Sequence, residues 1–263
     1  MKLIKLKPNT AGTRHTIKID KSLLLKKKFI FKNLIQFNHR FVGRSSNNGR
    51  ITIRHKGGGA KKKYISLKNT NEKNTSLVIA IAYDSNRTSF ISLNFDLKTN
   101  SFFTLLSPDL SFSGFIHSCN KSFKKLNHGY RTNLRLIPAG SLINNVSVNM
   151  RTLSQYSRSA GTACQIVQKT KLISKIRLPS GKIIDVLDTS FATIGNVSNT
   201  QNKLICIGKA GKNRLRGIRP SVRGIAMNPV DHPHGGRTNS GFVYTTPWGI
   251  PTKGVKTKNK KNE

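Results

Sequence analysis

The chain sets 47 Lys and Arg against 9 Asp and Glu, a formal net charge of +38 over 263 residues. That excess constrains the fold first, because a compact domain with one uncompensated positive charge about every seven residues (263/38) repels itself throughout. Such a chain needs a partner that supplies dense negative charge, and nucleic acid is the first candidate. A membrane surface is the second. Yet no apolar run approaches the roughly 18–20 residues of a spanning helix, and the longest covers only residues 77–83. Hydrophobic residues make up 36%, or about 44% with the 21 Gly included (36% + 21/263), enough for a small core. One or two small domains with irregular extensions fit that composition.

Cys119, Cys164 and Cys206 lie far apart with no CxxC pair, which argues against a disulfide framework or a cysteine zinc site. They read as bystander thiols in a reducing compartment. Lys outnumbers Arg 31 to 16, and Asn and Ile occur 25 times each. These residues have AT-rich codons, so the bias points to an AT-rich genome such as an organelle's. It also weakens any claim that every Lys serves a contact.

Residues 1–50 read as basic and irregular, with a Lys26-Lys27-Lys28 run, Arg40 and Arg44. From residue 51 short β-like runs follow at 76–83, 89–95, 101–106, 142–148, 162–167, 175–178, 183–187 and 204–207. Asp84-Ser85-Asn86-Arg87-Thr88 and Pro179-Ser180-Gly181-Lys182 look like hairpin turns, the first carrying Arg87 at its tip. Short strands at this spacing, without helix-length amphipathic stretches, predict small barrels. The best helix candidate is 151–156, of one or two turns. After Gly208 glycine and proline recur without long apolar runs, so this segment is expected to be an irregular functional extension ending in a lysine-rich tail.

Three motifs carry chemistry. In Arg54-His55-Lys56-Gly57-Gly58-Gly59-Ala60-Lys61-Lys62-Lys63-Tyr64 the glycines remove side-chain bulk, so backbone N–H groups can approach a phosphate among five cations. The spacing is not that of a nucleotide-binding P-loop. Residues 208–224 place Lys209, Lys212, Arg214, Arg216, Arg219 and Arg223 among glycine and proline, a pattern expected to form neither helix nor stable strand but to follow an irregular RNA backbone. Arg adds bidentate phosphate contacts and base stacking, and no element suited to the DNA major groove is evident, so RNA is favoured over DNA.

In Met227-Asn228-Pro229-Val230-Asp231-His232-Pro233-His234-Gly235-Gly236, three readings compete. Asp231, His232 and His234 could ligate a metal, but a fourth ligand at sensible spacing is missing. Asp–His could serve a nucleophile such as Ser240, although adjacent residues seldom align as base and orienter. The third reading is a rigid loop that contacts RNA, its direction fixed by the prolines.

These residues resemble the family of bacterial-type large ribosomal subunit protein two. The resemblance rests on Asn47-Asn48-Gly49-Arg50-Ile51-Thr52 leading into Arg54–Gly59, on Tyr83–Thr88, on Arg158-Ser159-Ala160-Gly161-Thr162, on Gly208-Lys209-Ala210-Gly211, on residues 219–236 and on Pro247-Trp248-Gly249-Ile250-Pro251-Thr252-Lys253-Gly254. Lys7-Pro8-Asn9-Thr10 resembles the family's start. The resemblance implies a mainly β fold: a basic extension over 1–45, an OB-like RNA-binding barrel over 46–125, an SH3-like barrel over 126–207 and an extended RNA-binding segment over 208–263. It implies a structural constituent of the large subunit that binds its ribosomal RNA, supports subunit association and lies near the peptidyl transferase region, without itself being an enzyme.

The implied RNA-binding residues are Arg50, Arg54, His55, Lys56, Gly57, Gly58, Gly59, Lys61, Lys62, Lys63, Arg87, Arg158, Lys209, Lys212, Arg214, Arg216, Arg219, Arg223, Asn228, Asp231, His232, His234 and Lys253. Expected partners are ribosomal RNA, neighbouring ribosomal proteins and the small subunit across the intersubunit face, with no membrane. No cofactor is expected beyond Mg2+ held on the bound RNA. The placement of the family start and the codon bias suggest a mitochondrial gene and ribosome, with a plastid or an AT-rich bacterium as alternatives. Departures from the family pattern are Ala60 for His, Ile65 for Arg, Ser85 for Pro and Leu215 for Trp, a missing glycine-rich stretch before Arg158, and a shortened loop between Gly236 and Pro247.

Overall fold

A computed structural model describes residues 2–25, 34–36, 43–68, 74–109, 116–119, 127–149, 153–237 and 244–253. The Lys26–Lys28 run, Arg40, Ser240 and the tail beyond Lys253 lie outside these residues. The chain divides into two units, residues 1–40 with 61–212 and residues 41–60 with 213–263.

The first unit is mainly β. Strands β1 (Leu3–Lys5) and β2 (Ile17–Ile19) pair antiparallel, Leu3 opposite Ile19, around the one-turn helix α1 (Ala11–Arg14). The expectation of an irregular amino-terminal region is corrected here: alternation in strands of three residues is too brief to stand out among lysines. Next, β3 (Ile35–Gln36) pairs with β4 (Tyr64–Ile65).

β5 (Asn74–Tyr83), β6 (Phe90–Asp96), β7 (Ser101–Leu106) and β8 (Ile116–Cys119) form one half of a ten-stranded sheet. β9 (Arg131–Asn133), β10 (Leu142–Asn144), β13 (Cys164–Lys169), β14 (Ile173–Arg177), β15 (Ile183–Leu187) and β16 (Phe191–Ile194) form the other; between β10 and β13 run β11 (Val146–Ser147) and β12 (Ser154–Tyr156), which pair with each other. The sheet order is β15-β14-β13-β10-β16-β9-β8-β5-β6-β7, and the halves meet at a single parallel pair, Cys119 opposite Arg131.

Each half curls around its own core. Ile65, Ala82, Ile91 and Leu93 fill the OB-like barrel, and Leu134, Ile137, Ile143, Val146, Cys164, Ile166, Ile176, Val186, Ala192 and Ile194 fill the SH3-like barrel. Ile65, where the family pattern commonly has Arg, is thus a core residue. Burial raises the pKa of the Cys164 thiol, which keeps it a protonated, inert core group.

Scarce carboxylates are spent on turns inside this unit. Asp84 accepts from the Asn86 N–H (2.9 Å) and pairs with Arg87. Asp96 accepts from the Lys98 N–H and the Thr99 hydroxyl, each at 2.9 Å, and Asp188 accepts from the Ser174 hydroxyl. All three are buried, which withdraws a third of the nine acidic side chains from the solvated surface. Burial works to raise the Asp96 pKa, but the hydrogen bonds from Lys98 and Thr99 outweigh it, helped by the charge of Lys68, and it lies below the usual carboxylate value.

Two further expectations are corrected. The helix candidate 151–156 contains strand β12 instead, because Ser154 is buried beneath Arg131, whose Nη2 donates to its hydroxyl at 3.0 Å. The expected strand 204–207 does not form: Leu204 ends a 3-10 turn, Thr200–Leu204, entered through Asn199 at φ 68°, and beyond it only Cys206 bridges to Ile17. At Pro179–Lys182 the hairpin forms as read, with Leu178 donating to Lys182 O at 2.8 Å and Gly181 at φ 88°.

Candidate nucleic-acid interface

Residues 54–60 of the first cationic motif and 213–224 of the second, more than 150 residues apart (213 − 60 = 153), lie side by side in the second unit. Gly57 N–H donates to Gly217 O, Ala60 N–H to Leu215 O and Arg219 N–H to His55 O, each at 3.0 Å, and Lys56 bridges Ile218 antiparallel. Glycine is required at the contact. Gly59 sits at φ 92°, and a Cβ there would lie 2.7 Å from Gly217 N and 2.8 Å from its Cα. Ala60 and Leu215, both departures from the family pattern, meet at one of these hydrogen bonds.

The expectation that residues 208–224 form no helix is overturned: α2 covers Ala210–Leu215, across the boundary between the units. Its six residues contain no proline, the first being Pro220, and Gly217 at φ 90° lets the chain turn out of it. The backbone at His55, Lys56, Arg214, Arg216 and Arg219 is committed to helix and ladder, and these side chains, like those of Arg50, Arg54 and Arg223, are exposed. Such a fixed backbone with exposed cations can follow phosphates without ordering the whole chain first.

In the first unit a second group gathers at the β5–β6 hairpin tip. Asn86 Nδ2 donates to Lys63 O at 2.6 Å, and the Ala160 N–H donates to Thr88 Oγ1 at 3.1 Å. This holds the backbone at Lys63 and Ala160 against the tip, with Lys61, Lys62 and Arg158 within two residues of those bonds. Arg87 is turned inward, donating to Ile65 O at 3.1 Å, paired with Asp84 and lying over the Tyr64 ring at 4.8 Å. Lys212 is likewise engaged, donating to Ile207 O at 2.8 Å and Thr16 Oγ1 at 3.2 Å, whereas Lys209 is exposed. Sequence reasoning had no signal for these internal partners.

The loop 227–236 is closed by Gly236 N–H donating to Met227 O (3.2 Å) and Gly235 N–H to His232 O (2.8 Å). His232 is 8% exposed, and its Nδ1 accepts from the His234 N–H at 3.0 Å. His234 Nε2 accepts from the Thr245 N–H at 3.1 Å, and the two rings stand 4.6 Å apart. Burial, the neighbouring His234 and Arg54 all lower the His232 pKa, so the ring is neutral, with its proton on Nε2.

The orienter expected of a catalytic Asp–His pair is absent from this Nδ1, which takes the backbone of His234 rather than Asp231. No group of three His, Cys, Asp or Glu side chains suited to a metal occurs among the described residues. Asn228 and Asp231 are exposed on the loop, and Lys253 Nζ lies 3.8 Å from the Tyr244 ring centroid. No helix among the described residues is long and apolar enough to cross a membrane.

The chain is similar to ribosomal proteins along most of its length. Residues 31–114 match the family profile described as "Ribosomal Proteins L2, RNA binding N-terminal domain", and residues 127–249 match "Ribosomal Proteins L2, C-terminal domain". The chain is 41% identical over 266 residues to the large ribosomal subunit protein uL2 of Methylococcus capsulatus, covering 99% of this chain and 95% of the relative. It is equally similar to uL2 of Alcanivorax borkumensis (41%, 99% and 96%) and to uL2m of Reclinomonas americana (41% over 267 residues, 99% and 95%).

Proposed function

Since the chain belongs to the ribosomal protein L2 family and is a structural constituent of the large ribosomal subunit, we propose that its surplus charge is matched by the phosphates of large-subunit ribosomal RNA at the two groups of cations just described. The observation that carries this reading is the ladder between residues 55–60 and 215–219, which holds backbone in place while eight basic side chains stay in solvent. The groups divide the work: Lys61, Lys62, Lys63 and Arg158 meet RNA at the barrel turns, whereas Arg50, Arg54, His55, Lys56, Arg214, Arg216, Arg219, Arg223 and Lys253 follow an irregular strand. Arg87, Lys212 and His232 act mainly by fixing the loops that carry these residues.

Gly57–Gly59 and the loop bearing Asn228, Asp231 and His234 give RNA close access to backbone, and the loop orders RNA near the peptidyl transferase region without performing a reaction. Neighbouring ribosomal proteins and the small subunit, across the intersubunit face, complete its surroundings. Mg2+ enters as ions of the RNA. The Lys, Asn and Ile bias favours a mitochondrial ribosome in the matrix, and the similarity to a uL2m protein is compatible with it.

The chain, epitope-tagged in its own cells, should sediment with large subunits after a high-salt wash and with the organelle fraction; recovery in free protein fractions would contradict the assignment. Its depletion should leave large subunits that fail to join small ones.

A further inference from the structure

The chain has one tryptophan, Trp248, and it is 74% exposed. It sits on a small hairpin in the second unit, closed by Thr246 N–H donating to Ile250 O (2.8 Å), Thr252 N–H to Tyr244 O (2.7 Å) and Gly249 N–H to Thr246 O (3.0 Å). Gly249 turns the tip at φ 79°. The Thr245 N–H bond to His234 anchors this hairpin to the ordered loop. An indole so exposed sacrifices the burial that an aromatic ring of its size ordinarily contributes, and its position is nevertheless fixed. A held aromatic ring with an open face has the form of the platforms on which unpaired bases stack.

The surroundings say what binds. The Arg54 guanidinium lies 5.3 Å from the indole centroid and occupies one face. Tyr244 is 56% exposed and carries Lys253 in the same way. A ligand for the open face must therefore be flat, π-faced and attached to negative charge. We propose that Trp248 is a stacking platform for an unpaired nucleobase of large-subunit ribosomal RNA, with Arg54 and Lys253 taking the flanking phosphates. This rests on the RNA-binding function above and gives it one base-level contact. RNA recognition at single-stranded loops and ends commonly proceeds by such stacking.

Because Trp248 is the only indole, its emission reports on this site alone. The full chain is titrated with a labelled transcript of large-subunit ribosomal RNA, reading RNA anisotropy and tryptophan emission together. Quenching that saturates with binding is expected. Trp248→Ala should weaken binding roughly 5- to 100-fold without changing the salt slope, and Trp248→Phe should restore most of it. Binding with unchanged emission and a neutral Trp248→Ala variant would overturn the stacking site while leaving RNA binding intact. A reduced salt slope in Trp248→Ala would also overturn it, since stacking releases no counterions. Emission that responds only when large-subunit proteins are added would overturn it in favour of a protein partner. No RNA binding by the parent chain would overturn both this site and the function it rests on.

Discussion

A histidine ring buried between a second histidine and an arginine holds its proton poorly, and His232 occupies such a place. Its folded pKa lies below the unfolded value of about 6.5, so the neutral ring contributes stability that is complete above that pH and is lost as pH falls through the folded pKa. Proton NMR titration of the ring should give a value under about 6.5, and hydrogen exchange at 224–236 should quicken below it; a ring titrating at or above the free value would contradict the arrangement. Gly224→Ala tests the same packing, because its Cβ would stand 2.5 Å from His232 Nδ1. The sequence named Asp231, His232 and His234 and left three chemistries open. What decides among them is the direction of one imidazole, whose Nδ1 takes the His234 N–H and packs against Gly224, and residue type and spacing alone do not encode that direction.

At the scale of elements, strands with several alternating or β-branched residues were legible: β7 and β15 lie where their patterns put them, and the β5–β6 hairpin is only slightly longer than read. Others were not. Arg131–Asn133 is short and polar, and Phe191–Ile194 is buried at every position, so neither shows alternation. Each cationic motif was legible as a contact segment, but the ladder joining them is made of backbone hydrogen bonds, which leave little trace in residue type beyond the glycines. Gly59→Ala should break that ladder, and the slope of log affinity against log salt for ribosomal RNA should become shallower by at least one phosphate contact, about 0.7–0.9. An unchanged slope would separate the ladder from binding. In the hairpin, Asp84→Ala leaves the Arg87 guanidinium, 13% exposed, without its carboxylate. Urea unfolding of the protein should register a loss of about 3 kcal/mol, and a loss under about 1 kcal/mol would show that the pair matters little.

At the scale of the whole molecule, the two hydrophobic clusters among the described residues belong to the first unit, and neither includes a described residue of 43–60 or 213–253. In free protein the barrel strands should therefore resist hydrogen exchange while 213–237 exchanges quickly, and RNA should slow the latter. Strong protection of 213–237 without RNA would mean that the segment orders itself. The fold class was legible because composition excluded most alternatives and the barrels announce themselves in short β runs; the division into units was not, because 41–60 joins residues distant in sequence.

The charge of +38 remains the central fact. Equilibrium binding of the full chain to a large-subunit ribosomal RNA fragment, measured across a series of monovalent salt concentrations, tests its meaning most directly. The expected result is a straight fall of log affinity with log salt, at −0.7 to −0.9 per neutralised phosphate over several phosphates, with weaker binding to duplex DNA at every concentration. A flat line, or equal affinity for the duplex, would contradict it.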